Sequence, residues 1–524
     1  MLRGFSAPFL LLLYGVSLVA AATLQLYEPA PIYPRSGYWT MTVDGEPVAV
    51  TAFDGYSYAH FSFGGGPARI RLVANQHGDI QTIVSSPVKY KYQETYTKSG
   101  NALGFTMENP HYMIIRLPGG YRPIVICADP LETNAPASSG SGIFNVVTQF
   151  GADKSGNSLS TDAFVNALRA AKANGGGIVY VPAGVYPIGN LIIPSKISLY
   201  LAAGSVLKFT GNRADYRTDW HKTSQDRDGT EWIRTAYNTE DIKIYGRGTI
   251  DANGEYASKE GKFIAHSVVP IATTRFTFDG PIIRHSASWT LMVTRSNNIM
   301  IDHAKILNSL SLGENDAVDI VDSQHVIVKN SIGIAWDDSF STKAQPQGVG
   351  ITINYPGENQ PAYNVTFLDN LAWTGCYGFK VGQGVYKTQS NIRFERGTIY
   401  SASIAMGIDH AAGNAPVTDI SFTGMEIEEV TGLHLGKQTW LAMSISNGGT
   451  KVGAGPINDI HIWDIAVRDI GSTNAPLVGL DSGSGRIEGV TFRNIWLKSL
   501  DRPARNLDEI KVTTTFATDV KLVG

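Results

Sequence analysis

Three aspartates within residues 314–343 have the type and spacing expected of catalytic acids and bases. Asp316 precedes a β-branched run at 326–328, and the adjacent pair Asp337 and Asp338 follows that run directly after Trp336. Asp316 and Asp337 are 21 residues apart, and a chain that winds back once over that interval would stack them roughly 4.7–4.9 Å apart, the spacing of neighbouring strands. Asp337 and Asp338 can face one cleft together only at a turn or bulge, because adjacent strand residues point to opposite faces.

Such a cluster favours acid–base catalysis. Like charges a few ångströms apart raise one another's pKa, so one carboxyl stays protonated while another is ionised. Hydrolysis of a glycosidic bond requires this division between a general acid and a base. Asp-rich turns that cap backbone N–H groups or bind Ca²⁺ are the alternative for the adjacent pair alone. The spacing to Asp316 favours the catalytic interpretation.

The elements that must position these acids appear as a weak repeat after residue 240. Pairs of apolar residues at period 2 recur 23–40 residues apart, and Asn or Asp often precedes them. The pairs are Ile242/Ile244, Phe276/Phe278, Ile299/Ile301, Val326/Val328, Val365/Phe367, Ile392/Phe394, Ile420/Phe422, Ile460/Ile462 and Val490/Phe492. This pattern predicts the stacked coils of a right-handed parallel β-helix, with loops in the longer gaps. A β-propeller is less consistent, because each of its blades needs four strands.

The chain ahead of the repeat has a different character. Residues 23–132 contain short strand-like runs separated by turn formers, which predict a small β-sandwich domain, and 133–142 is a polar linker. The β-helix domain is expected over 143–524. A helix after Ser160 and Thr161, buried through Phe164 and Leu168, would cover the first coil. The predicted fold class is therefore all-β.

The composition and the N-terminal segment indicate where the protein acts and which partners it binds. Residues 1–22 resemble a secretory signal peptide, so we expect a secreted, extracellular protein. A net charge of -3 argues against nucleic acid as a partner, and no later apolar run is long enough to span a membrane. We therefore expect a monomer that acts on a polysaccharide, with neither cofactor nor metal. Cys127 and Cys376 fall in different predicted domains, which indicates two buried thiols rather than a disulfide.

At these residues the chain resembles the polygalacturonases of glycoside hydrolase family 28 and, in its domain layout, the dextranases and isopullulanases of family 49. The family 28 pattern Asn-Thr-Asp-Gly-x-Asp appears here as ENDAVD (residues 314–319), and its Asp-Asp pair falls at 337–338. Supporting matches are GRGTIDANG at 246–254, SASWTL at 286–291 and VPAGVY at 181–186. The resemblance implies inverting hydrolysis, with Asp337 as general acid and with Asp316 and Asp338 activating the water.

The departures from the family pattern bear on the substrate. Tyr377 stands where the family has the histidine of Gly-His-Gly, and Gly407 and Asp409 stand where its Arg-Ile-Lys cations hold a uronate carboxylate. Glycine and aspartate cannot pair with a carboxylate. We therefore expect a neutral polysaccharide, such as the α-glucan dextran, with Asp409 or His410 bonding sugar hydroxyls. Lys380 keeps open the alternative of a pectin-type substrate, polygalacturonan or rhamnogalacturonan.

The remaining candidates for substrate binding are aromatic residues that can stack on sugar rings and polar residues that can bond hydroxyls or tune the acids. These are Trp336, Trp373, Tyr377, Lys343, Lys380 and Gln383. Each aromatic could instead pack on the next coil, and each lysine could simply be solvated.

Two further functions remain open for the same fold. A polysaccharide lyase would need a Ca²⁺ site and a basic residue to abstract a proton, and no arginine lies near the acids in sequence. A non-catalytic, glycan-binding β-helix would use Trp336 and Trp373 but gives no reason to bring three acids together. An unsaturated product would mark the lyase, and release of reducing sugar separates the hydrolase from the binding protein.

Overall fold

The structure is a computed structural model that describes residues 22–432, 435–447, 454–481 and 483–524. The predicted signal segment lies outside these residues except for Ala22. None of the described helices is long and apolar enough to cross a membrane.

Two antiparallel-rich sheets form the N-terminal sandwich and enclose their own apolar core, which includes Trp39, Phe61 and Leu72. The first sheet contains Thr23–Leu26, Val50–Ala52, Ser57–Gly64, Val84–Ser86, Tyr112–Arg116 and Ile124–Pro130. The second contains Trp39–Val43, Glu46–Val48, Ala68–Ala74, Thr97–Ser99 and Ala102–Met107. Alternate residues of Ala68–Ala74 are buried, as expected of a strand with one face on the core.

The rest of the chain is a right-handed parallel β-helix, which confirms the predicted fold class. Each typical coil contributes one strand to each of three parallel ladders. The first ladder contains Gly177–Val181, Ile197–Leu201, Thr239–Gly246, Thr273–Asp279, Asn297–Asp302, Gln324–Lys329, Ala362–Leu368, Gln389–Glu395, Val417–Thr423, Ile457–Val467, Ile487–Leu497 and Ala517–Val523.

The other two ladders complete each coil. The second ladder contains Gly184–Pro187, Ser205–Lys208, Thr249–Asp251, Ile282–Arg284, Lys305–Leu307, Ile332–Ala335, Leu371–Thr374, Thr398–Ser401 and Glu426–Ile427. The third contains Leu191–Ile193, Arg227–Thr235, Phe263–Val269, Leu291–Thr294, Val318–Val321, Phe340–Ala344, Tyr377–Val385, Ile404–Ala412, Thr439–Ile445, Ala475–Val478 and Val512–Thr515. We call this third ladder the cleft ladder.

Short elements complete the fold at its ends and edges. Ile143–Asn145 pairs with the first coil, Arg502–Pro503 pairs near the last, and Trp220–Lys222 forms an antiparallel hairpin with Arg227–Thr235. The helices are Thr161–Ala173 and Gly254–Lys259, and the 3₁₀ turns are Val88–Tyr90, Tyr92–Glu94, Arg213–Asp215 and Gly350–Thr352.

The predicted apolar pairs set the register of the first ladder. Ile299 and Ile301 lie opposite Val326 and Val328, which lie opposite Val365 and Phe367 of the next coil. The predicted end helix buries Phe164 and Leu168, but Ser160 makes no capping bond to it. The Ser160 hydroxyl instead accepts a bond from the N–H of Asp153 at 3.1 Å. The repeat therefore predicted the core. The helix begins after Ser160 as predicted, but the predicted side-chain capping bond from Ser160 is absent.

The sandwich packs against the outer side of the second ladder. An apolar cluster that includes Tyr56, Ile114, Ile334 and Trp373 joins the two domains, and Tyr56 donates to the carbonyl of Asn308 at 3.0 Å. The three ladders form three sides of the β-helix. The cleft ladder forms a different side from the second ladder, and the sandwich does not cover it.

Candidate functional site

The three acids meet where two strands of the cleft ladder begin. The register pairs Val318 with Phe340, so Asp338, rather than Asp337, stacks on Asp316. The N–H of Ala317 donates to the carbonyl of Asp338 at 2.9 Å. The predicted offset was therefore one residue short.

The adjacent acids share a bend, as their common orientation requires. Buried Asn315 fixes this bend through its side-chain oxygen, which accepts the N–H groups of Trp336 at 2.8 Å and Asp337 at 3.3 Å. The Thr374 hydroxyl donates to the carbonyl of Asp337 from the following coil. Asn315 and Thr374 were not recognised from the sequence, because each supports the site through backbone atoms one coil away.

Two buried lysines lie among the acids. Lys343 donates to Asp316 at 2.9 Å and to Asp319, and its Nζ lies 3.8 Å from Asp338. Lys380 donates to Asp338 at 3.0 Å. Both lysines are at most 5% exposed, so these ion pairs are shielded from solvent and from salt.

Four carboxyl groups share these two cations, and the acids divide accordingly. Burial, and then the charges of neighbouring acids, raise the pKa of Asp337 above its usual range, and burial raises that of Asp316 further despite Lys343. Burial acts in the same direction on Asp338, but Lys380 and Lys343 outweigh it and hold the pKa of Asp338 below its usual range. The site therefore combines carboxyls whose pKa is raised with one whose pKa is lowered, the kind of division that acid–base catalysis requires.

An open cleft of about 440 Å³ leads to the acids. Of the predicted residues, it is lined by Asp316, Asp337, Asp338, Lys343, Lys380 and Gln383. Sequence reasoning missed Trp289 and Lys222, which also line it. The Trp289 ring lies 4.6 Å from the Nζ of Lys343 and 5.0 Å from that of Lys222. Trp289 falls within the SASWTL motif, which was the available signal.

The predicted aromatic residues lie elsewhere. Trp373 belongs to the second ladder and packs on Tyr56, with ring centroids 5.4 Å apart, and on Tyr400 at 5.1 Å. The assignment of Trp373 to the cleft is corrected for this reason: it faces the sandwich domain. Tyr377 is buried with its ring 4.7 Å from the Nζ of Lys380. Trp336 is half-buried at the bend before the acids, with its ring against Gly375.

The structure also shows the surroundings of the residues that depart from the family pattern, Gly407, Asp409 and His410. His410 is buried and bonds the carbonyl of Ala415 at 2.8 Å, so it turns away from the cleft that the sequence assigned to it. The carboxyl of Asp409 lies 3.8 Å from the Nζ of Lys380. Gly407 has no room for a side chain, since a Cβ there would collide with the carbonyl of Ala442. Lys380 lies directly opposite Gly407 on the neighbouring strand, so a cation is present one coil earlier.

One wall of the cleft is a crossing segment, residues 345–357, which we call the strap. Arg295 donates to the carbonyls of Pro356 at 2.9 Å and Gly357 at 2.8 Å. Asp322 accepts the N–H of Gln345 at 2.9 Å, and burial raises the pKa of Asp322 to about 7. Buried polar contacts therefore hold both ends of the strap.

The middle of the strap reaches back over earlier coils. Tyr355 donates to buried Glu231 at 3.1 Å, and Asn354 donates to the carbonyl of Asp219 at 2.6 Å. Ile351 packs with Trp220 of the hairpin. The strap and the hairpin therefore meet on the side of the earlier coils, where Lys222 of the hairpin and Ile351 of the strap line the cleft.

Asp337, Asp338 and Cys376 bring potential ligand atoms within 4.8 Å of one another. Lys380 already neutralises the charge of Asp338, and burial keeps the pKa of the Cys376 thiol well above its usual range. A protonated thiol is a poor metal ligand. The donor set therefore fits a lysine-compensated acid cluster better than a metal site.

Comparison with known proteins finds relatives among the glycoside hydrolases. The family model described as "Glycosyl hydrolases family 28" matches residues 178–516. An exo-poly-alpha-D-galacturonosidase of Dickeya chrysanthemi is 25% identical over 280 residues, which cover 43% of this chain and 45% of that protein. The chain therefore spans less than half the length of this relative.

Two solved structures share the fold. The family 28 exopolygalacturonase of Yersinia enterocolitica has a TM-score of 0.59 at 16% identity, covering 95% of this chain and 98% of its own. Dex49A of Penicillium minioluteum has a TM-score of 0.53 at 10% identity, covering 95% of this chain and 89% of its own. At these identities the likeness is one of fold, and it extends over both domains.

Proposed function

The chain belongs to glycosyl hydrolases family 28, and from that premise we propose that it hydrolyses a pectin-type polysaccharide, polygalacturonan or rhamnogalacturonan. The observation that carries the hydrolytic part of the proposal is the geometry of the acid cluster. Asp316 and Asp338 share Lys343, Asp338 also pairs with Lys380, and Asp337 lies beside them at the bend held by Asn315. The predicted export segment would bring the enzyme to extracellular polysaccharide.

In the proposed reaction Asp337, whose raised pKa favours its protonated form, donates its proton to the leaving glycosidic oxygen. Asp338, held ionised by Lys380, takes a proton from a water whose oxygen bonds the anomeric carbon as the glycosidic bond breaks. Asp316 lies behind Asp338 and shares Lys343 with it, so Asp316 helps to place the base and its water. Attack opposite the leaving group inverts the anomeric centre.

The separation of Asp337 and Asp338 bears on whether the reaction inverts the anomeric centre. Oxygens of Asp337 and Asp338 come within 4.8 Å, whereas about 6.5–9.5 Å separates the carboxyls of most inverting enzymes. Proton NMR of the first product would read the configuration directly. We expect the inverted anomer, and the retained anomer would overturn this step.

The comparisons do not support the neutral α-glucan expected from the sequence and favour the pectin-type alternative. The sequence argument considered only the coil that contains Gly407 and Asp409. The structure adds two lysines to the cleft, Lys380 opposite Gly407 and Lys222 from the hairpin. Each already pairs with an acid of the protein, Asp338 or Glu314, so the choice of a carboxylate-bearing sugar rests on the comparisons.

We further propose action at a chain end. The strap and the hairpin close one side of the cleft, through the contacts of Asn354 with Asp219 and of Ile351 with Trp220. A polysaccharide chain entering from the open side would stop there. The names of the exopolygalacturonases among the relatives support the same proposal.

The deciding experiment compares the unmodified protein with Asp337→Asn on polygalacturonate, rhamnogalacturonan and dextran. We expect reducing sugar from a pectin-type substrate, early products of one short length, and loss of activity in the variant. Activity on dextran alone would overturn the substrate proposal. A ladder of product sizes would overturn chain-end action, and an unsaturated product would indicate a lyase.

A further inference from the structure

A second cavity lies between the sandwich and the second ladder, on a different side of the β-helix from the acids. Its volume is about 680 Å³, larger than that of the acid cleft. The sandwich lines it with Val88, Lys91 and Arg116, and the β-helix lines it with Tyr400 and Lys498, among others. Neither domain alone would form this cavity.

The lining of this cavity contains more basic side chains than acidic ones, and several of the basic side chains have no acidic partner in the described part of the chain. Arg116 pairs with Glu429 at 3.1 Å, but among the described residues the Nζ of Lys89 donates only to the neutral backbone carbonyl of Arg396, at 3.2 Å. Within the part of the chain that the structure describes, Lys91 and Lys498 form no ion pair. These three lysines therefore offer their charge to a ligand.

The acids on the same walls do not cancel this charge. Within the described ranges, one buried oxygen of Glu428 has no hydrogen-bond partner, and burial raises the pKa of Glu428 to about 8, so its protonated form predominates at neutral pH. Glu429 is already paired with Arg116. Glu94 is the remaining acid of the lining, against three free lysines.

A smaller cavity of about 310 Å³ continues this groove and shares Lys89. It contains Tyr90, which is 43% exposed and stacks on His111 with centroids 3.9 Å apart. Exposed, rigidly held aromatic rings suit the apolar faces of sugars. The groove thus places lysines beside an exposed aromatic ring on which a sugar can stack. It runs along several coils, and neighbouring coils are about 4.8 Å apart.

We propose that this interdomain groove is a second, non-catalytic binding site for an oligosaccharide that carries carboxylates. The cations would pair with carboxylates, and Tyr90 would stack on a ring. The choice of a uronate chain as ligand rests on the proposed function, whereas the charge and shape of the groove do not. Binding here would hold the polysaccharide on the enzyme while the acid cleft acts on a chain end.

The test uses the full-length Asp337→Asn protein, which cannot consume its ligand, and calorimetric titration with a short galacturonic acid oligomer. We expect one binding event from the groove in addition to any from the cleft. The double variant Lys91→Glu/Lys498→Glu should lose the groove event, with affinity there falling at least about tenfold. Lys154→Glu/Lys172→Glu makes the same charge change on exposed lysines distant in sequence and should bind like the parent.

Titration with the same oligomer after reduction of its carboxyls to alcohols tests ionic recognition, and we expect no groove binding. An unchanged titration in the Lys91/Lys498 variant, or equal groove binding by the reduced oligomer or by polyphosphate, would overturn the proposal. Hydrolysis by the unmodified enzyme is measured in parallel. Hydrolysis without a groove event would sink the groove alone, whereas a groove event without pectin hydrolysis would sink the proposed function alone. If the double Glu variant fails to fold, Lys91→Gln/Lys498→Gln replaces it.

Discussion

Two buried clusters of aspartate and lysine in this molecule have opposite electrostatic outcomes. At the contact between the domains, Asp129 is surrounded by Lys305 at 2.6 Å, His60 at 2.8 Å and Arg247 at 3.4 Å. Burial alone would raise the pKa of Asp129, but Lys305 and then His60 and Arg247 hold it far below its usual range. Here the cations outnumber the acid.

In the acid cleft the acids outnumber the cations. Asp316, Asp319, Asp337 and Asp338 share Lys343 and Lys380, and burial raises the pKa of Asp316 and Asp337. The same two residue types therefore build a fixed structural charge in one place and a proton-exchanging site in the other. The number of cations per buried acid decides which of the two results.

The largest effects are expected from removing the divided acids. Asp337→Asn and Asp338→Asn should each lower kcat by about 10²–10⁴-fold, the range for loss of a general acid or base. Thermal stability should change little or rise in Asp337→Asn, which relieves repulsion between neighbouring acids. It should fall in Asp338→Asn, which leaves buried Lys380 without its 3.0 Å partner. Asp464→Asn, on the half-exposed surface, is the matched control and should retain full activity. Unchanged kcat in either cleft variant would remove that residue from the mechanism.

Asp129→Asn should have the opposite signature, a large loss of stability with chemistry intact. Leaving Lys305 buried without its partner should cost about 3–5 kcal/mol in denaturant unfolding. Asp129 has a folded pKa below its unfolded value of about 3.9, so its stabilisation is present above that pH and is lost as the pH falls. The difference between the variant and the parent should therefore shrink in acid.

The exposed pair of Lys521 and Asp519 supplies the control for that measurement. Asp519→Asn should cost no more than about 1 kcal/mol, as is usual for solvent-exposed ion pairs. Equal losses in the Asp129 and Asp519 variants would mean that burial does not set the energetic scale of the interdomain cluster.

Lys380→Met should move the cleft in the direction of still fewer cations. Asp338 then loses its 3.0 Å partner, so its pKa should rise. The acidic limb of the pH dependence of kcat/KM should shift to higher pH, because the base is then protonated at higher pH. Lys222→Met also changes the cleft lining, yet Lys222 pairs with Glu314, so that limb should stay in place.

The sequence predicted the regular parts of this arrangement. Apolar pairs such as Ile299/Ile301 set the coil, and the coil length brought Asp316 to the Asp337–Asp338 bend. Lys222 and Glu231 reach the cleft region through a hairpin whose length follows no period, so no spacing rule could place them. Trp373 was misplaced because its local pattern cannot show that a separate domain covers its strand.

Glu231 extends the comparison to a buried acid with no ion pair among the described residues. Burial, and then the charge of Asp219, raise the pKa of Glu231 to about 8, while Tyr355 of the strap donates a hydrogen bond to it. Its folded pKa lies above the unfolded value, so its contribution to stability is complete below about pH 4 and is lost as the pH rises through 8.

Glu231→Gln should have the smallest effect, below about 1 kcal/mol at about pH 4, because Glu231 is then protonated and the amide oxygen still accepts the Tyr355 hydroxyl. Its signature is the slope: the parent should lose stability between about pH 5 and 8, and the variant should lose less. Denaturant unfolding across that range measures the difference, with Glu255→Gln on the exposed helix as control. Parallel curves for the parent and the variant would show that Glu231 is ionised in the fold, so that a buried acid here needs no cation to keep its charge.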